Sequence, residues 1–234
     1  MRAIAKKELK SYFLSPIGYV VIGAILFLFG YWYWQVLMIQ MSSYIPSVYG
    51  TMFIWCMMII PIITMRSFSE EMRNKTDQAL LTAPVGVGSI VFGKFLAAFA
   101  VFAIAMVGSV IPVVVISFFS SLDWATVIGT VVGSLLYGAA MISIGIFISA
   151  LTQSQIVAAI STFGVAILLL VVNQLSGLVS NTFGTQLIDW ISFDTRYQPF
   201  TKGVFNIPSI VFFLSVVAVF SFLTARKLES KRWS

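Results

Sequence analysis

The stretch RSFSEEMRNKTDQALLTAPVGVGS, residues 66–89, is the one long charged insertion in a chain otherwise almost bare of charge. On either side of it lie tracts without a single Asp, Glu, Lys or Arg: 11–65 before it, then 95–122, 124–188 and 203–225. A helix needs roughly 20 apolar residues to cross a ~30 Å hydrocarbon core, so the first and third tracts each hold two crossings and the others one, six in all. The chain has 59% hydrophobic and 9% charged residues over 234 positions, with a mean hydropathy of +1.00. A soluble surface normally needs about 25% charged residues, so this chain belongs in lipid.

The expected architecture is an all-α membrane protein with one transmembrane domain over 1–234. It comprises an interfacial helix at 1–16, spans one and two within 17–65, a cytoplasmic segment at 66–89, and spans three to five within 90–175. An outer loop at 176–206, span six at 207–225 and a tail at 226–234 complete it. In the first segment, Lys6, Lys7 and Lys10 stand against a stripe of Ala5, Leu9, Tyr12 and Phe13, the pattern of a helix lying in the headgroup layer with its cations toward anionic lipid. Pro16 turns that helix into span one, and Pro112 interrupts span three. Span four carries Gly129, Gly133, Gly138 and Gly145, which let helix backbones approach closely. Its reading is ordinary bundle packing rather than a dimer seam. Within the outer loop, Phe183, Leu187, Trp190, Ile191 and Phe193 read as a short amphipathic helix.

Orientation follows from Lys and Arg. Four lie in the N-terminal segment, four between Arg66 and Lys94, four in the tail, and only Arg196 and Lys202 in the outer loops. Positive charge collects on the cytoplasmic side, so both termini are expected there, in a bacterial inner membrane. The basic excess then serves membrane lipid, with no role for nucleic acid.

Several chemistries are excluded. There is no His, and Cys56 is the only Cys, which removes the usual zinc sites, Ser-His-Asp triads and His proton relays. No span core holds an ionisable group of the kind that ion-coupled carriers need. Asn173 and Gln174 are the most polar neighbours at membrane depth and read as packing or interface residues. Gly88–Phe95, GSIVFGKF, imitates a phosphate loop but ends in Phe95 where the Mg²⁺-binding hydroxyl belongs. Lys94 therefore reads as an interface anchor.

Within residues 66–83, Glu70, Glu71, Arg73, Lys75 and Asp77 alternate in sign while Phe68, Met72, Ala79, Leu80 and Leu81 recur at roughly helical intervals before Pro84. Residues alone leave two equal readings: a docking helix for another protein, or a solvated connector. The combination of an N-terminal interfacial helix, R-x-F-x-E-E, Thr76, the Leu80–Leu81 pair before Pro84, and a third span opening near Gly93–Lys94–Phe95 resembles the ABC-2 permease family. The opening KKELKSYFLSPIGYVVIG is similar to its gliding-motility-associated subfamily.

The resemblance implies a type V exporter-like fold, two permeases per complex, and two separate ATPase subunits that bind ATP and Mg while this chain binds no cofactor. It makes 66–83 a coupling helix with Phe68, Glu70, Glu71, Arg73 and Thr76 as ATPase contacts. It makes the second permease a different chain with an extracytoplasmic domain. Many members carry Gly before the threonine, where this chain has Lys75. Reversing charge at Glu70 and Glu71 is expected to uncouple the ATPase. The rival readings are an ion-coupled carrier or channel acting alone, and a membrane scaffold without transport.

Overall fold

The computed structural model describes residues 2–39, 45–76, 85–119, 121–175 and 190–233, and among them there are helices and no strands. Helix α1 (Arg2–Leu14) is followed by α2 (Pro16–Trp34), which runs into a π turn at Gln35–Ile39. The junction is local chemistry: Ser15 accepts the Ile17 amide at 3.3 Å, and Pro16 takes the first helical position, where a missing N–H costs nothing. Then come α3 (Ile45–Thr64), a short α4 (Ser69–Arg73), α5 (Val87–Gly108) and α6 (Val110–Ser117). The rest is α7 (Trp124–Ser149), α8 (Gln155–Leu175), α9 (Phe193–Thr201) and α10 (Ile207–Trp233). Among the described residues six helical stretches have the length and apolarity to cross a bilayer, with α3 and α4, and likewise α5 and α6, counted as one stretch each.

The α5–α6 break follows from Pro112, which offers no N–H to the Gly108 carbonyl. Polar groups collect beside it. The Tyr33 hydroxyl donates to the Ser109 carbonyl at 3.2 Å, and the Tyr49 and Ser109 hydroxyls share a bond of 2.9 Å. Two tyrosines from different spans thus hold the interrupted helix through hydrogen bonds where no water competes.

Helices α3 and α7 form the centre. Of their most apolar windows, 61% and 67% are buried within the chain, against 17% for α8 and α10. The glycines of α7 explain why. A Cβ on Gly138 would stand 2.2 Å from the Phe102 ring, one on Gly145 2.2 Å from Thr64 Oγ1, and one on Gly133 2.6 Å from the Phe200 Cβ. Each glycine admits a different neighbour: α5, α3 and α9. The small-residue pattern is bundle packing.

One expectation needs correction, and a second lies largely outside the described residues. The sixth crossing was expected to stop near Ala225 before a separate tail, but α10 continues to Trp233, with Leu228 buried and Lys231 against Met72. The outer-loop helix was expected from Phe183 to Phe193. Of that stretch Trp190 and Ile191 are helical, and a separate helix, α9, follows, which seats Tyr197 and Phe200 against α7 and is capped by Ser192 at the Thr195 amide. Residues 176–189, including Phe183 and Leu187, lie outside the described residues, as do the side chains of Asn173 and Gln174.

Candidate functional site

The charged insertion leaves α3 through a turn at 65–68 and, as far as Thr76, forms one and a half turns of helix, α4. The expected continuous helix over 66–83 is therefore corrected as far as Thr76; residues 77–84 lie outside the described residues. Its end has a definite geometry. The Thr76 amide donates to the Glu71 carbonyl at 2.9 Å and the Lys75 amide to the Met72 carbonyl at 3.3 Å, with Lys75 in the left-handed region at φ 55°. This is a Schellman ending. A glycine at this position would take the same backbone without a Cβ penalty.

The elbow formed by residues 65–76 is fastened to three helices. From α7, the Ser149 hydroxyl oxygen accepts the amides of Phe68 and Ser69 at 3.0 and 3.1 Å and donates to the Met65 carbonyl at 3.2 Å. Nothing in α4 itself caps those amides. From α1, the Tyr12 hydroxyl donates to the Ile63 carbonyl at 2.8 Å, filling an acceptor that the end of α3 leaves open. Burial pushes the Tyr12 hydroxyl up to about 12, so it remains a neutral donor at ordinary pH. Arg66 donates to Ser15 at 3.1 Å while forking onto Glu70 at 2.6 and 3.0 Å.

From α5 comes Lys94. Its side chain is 2% exposed, and its ammonium bonds Glu71 at 2.8 Å and Glu8 at 3.0 Å, 5.1 Å from the centre of the Phe68 ring. Three segments remote in sequence meet on one cation. The reading of Lys94 as an interface anchor is thereby overturned: it is an internal tie, and α1 lies so close that a Cβ on Gly93 would sit 2.9 Å from Ile4 Cγ2. The phosphate-loop look-alike is helical from Val87 onward.

The residues singled out from sequence thus divide. Phe68 and Glu71 face inward, and Glu70 is half-buried on Arg66. Arg73 and Thr76 are exposed, as are Lys6, Lys7 and Lys10 on the outer side of α1. A double reversal at Glu70 and Glu71 would break two intramolecular ties and tests bracing rather than docking. Between α1, the elbow and the start of α5 lies a cleft of about 270 Å³, lined by Lys7, Glu8, Asn74 and Thr76 among others. Sequence reasoning missed Ser149 and Tyr12 as braces, because a serine at a helix end and a tyrosine in an amphipathic stripe have no distinctive pattern.

Ser149→Ala is expected to strand two amides at the elbow, costing about 1–3 kcal/mol. Faster hydrogen exchange at Phe68 and Ser69 than in the unsubstituted protein is the check; equal rates would remove Ser149 from the brace.

A protein-family profile described as ABC-2 family transporter protein matches residues 33–226, from the end of α2 into α10. The chain belongs to the ABC-2 transporter family. No curated protein matches it in sequence. ABC-2 family membership makes this multi-pass chain a transmembrane subunit of the kind that works with ABC ATPase subunits and normally lacks an ATPase site of its own. The elbow occupies the segment between its second and third spans, and the braces just described are how this ABC-2 chain holds that segment in place.

Proposed function

We propose that this chain is the permease of an ATP-driven exporter or envelope machine, with a separate ATPase docking on the elbow. The observation that carries the reading is the elbow's two-sidedness. Its base is bound to α1, α5 and α7, while Arg73, Asn74, Lys75 and Thr76 are all exposed at its tip. A rigid base with a polar exposed tip suits transmission of force from a docked partner. The bias of Lys and Arg toward the elbow end supports a cytoplasmic position for the elbow and both termini, in a bacterial inner membrane. ATP and Mg bind the partner ATPase, and its stroke repacks spans one, two and five against a second permease. The gliding-type resemblance supports a different second chain with an extracytoplasmic domain.

Arg73→Glu tests this directly, because an exposed residue outside the braces changes stability by no more than about 0.5 kcal/mol. In the complex recovered from its own membrane in mild detergent, ATPase retention is expected to fall several-fold while the thermal midpoint holds. Full retention and full ATPase stimulation in a combined Arg73→Glu and Lys75→Glu variant would sink docking at the tip. Transport by the chain alone in liposomes would favour a self-sufficient carrier instead.

A further inference from the structure

Arg196 lies in α9, at the end of the bundle remote from the elbow: α9 packs beside Gly129 and Gly133 early in α7, whereas the elbow is held by Ser149 at its end. The guanidinium carbon is 5.8 Å from the centre of the Trp190 ring and 5.5 Å from that of Phe212. Its Nε is buried without a hydrogen-bond partner, and among the described residues no carboxylate lies within ion-pairing distance. A planar cation beside two aromatic rings, with no counter-charge among the described residues, suits an external anion.

The location selects the anion's source. Phe212 is five residues beyond the start of α10, which at 1.5 Å per residue is about 7–8 Å along a membrane-crossing helix. That is the depth where headgroups meet acyl chains. The neighbouring surface is apolar and open, with Trp190, Ile191, Val211 and Leu214 all exposed. A freely soluble anion would gain nothing from such surroundings, whereas a phospholipid places its phosphate at that level and its chains along α10. We propose that Arg196 binds the phosphate of an anionic phospholipid, flanked by Trp190 and Phe212. A zwitterionic lipid is disfavoured because its own ammonium already balances its phosphate. The inference rests on the membrane-spanning fold and not on coupling to an ATPase, so either can fail without the other.

The test is native mass spectrometry of the purified full chain, titrated with phosphatidylglycerol, phosphatidylcholine or inorganic phosphate. The expected result is that Arg196→Gln retains one tightly held phosphatidylglycerol fewer, that site weakening about tenfold with loss of the charge-assisted bonds. Arg196→Lys, which keeps the charge and lacks the planar fork, should fall between, and covers the case in which the glutamine variant fails to fold. An unchanged count in both variants would overturn the proposal. Displacement by inorganic phosphate at equal concentration, or equal retention of phosphatidylcholine, would overturn the lipid assignment.

Discussion

Lys94→Met is expected to destabilise the protein by about 3–5 kcal/mol, the cost of leaving buried charge without its partner. Methionine keeps the length of the side chain but abandons two carboxylates, Glu8 and Glu71, whose side chains are each only 17% exposed. The thermal midpoint of the purified protein in detergent reads the loss. Combining Lys94→Met with Glu8→Gln and Glu71→Gln should recover most of it, because a neutral set replaces the charged one without leaving any ion unpaired. By contrast, Glu70→Gln removes only a half-exposed pair within one helical turn and should cost about 0.5 kcal/mol or less. A Lys94→Met protein as stable as its parent would mean that the three-way tie does not hold the elbow. If the elbow receives force from an ATPase as proposed, the same substitution in the intact complex should also lower ATP-driven activity, since the elbow would lose its connection to α1 and α5.

Gly138→Val should cost about 3 kcal/mol or more, at the upper end of overpacking effects. The new Cβ would overlap the Phe102 ring, which is fully buried. Gly164→Ala in α8 is the matched control: nothing lies within 4 Å of its new methyl group, and replacing a helical glycine gains up to about 1 kcal/mol. Comparable midpoints for the two variants would show that the α5–α7 seam is looser than the geometry requires.

The fold was largely legible because lipid imposes a coarse rule. Charge-free tracts of the right length become helices, and Pro112 and the glycines of α7 mark a break and a packing face with short-range chemistry. The last two turns of α10 were not legible, since the mixed charges of RKLESKRWS fit a free tail as well as a helix. Packing of Leu228 and Lys231 decides between them. The elbow was legible as an element but not in its extent, because the left-handed turn at Lys75 ends the helix at a residue whose identity gives no such signal. Lys94 misled for a similar reason. A lysine near a span end usually reaches for the membrane surface, and only the folding of α1 across α5 brings Glu8 to it, 86 residues away in sequence.

The aromatic stack of Phe53, Tyr137 and Tyr197 fills the middle of the bundle, with ring centres 4.7–5.3 Å apart. In this conformation these rings close the space between α3, α7 and α9 to a solute. On the proposed two-permease assembly, a route that bypasses these rings would run between the polypeptides, its bore set by how they part.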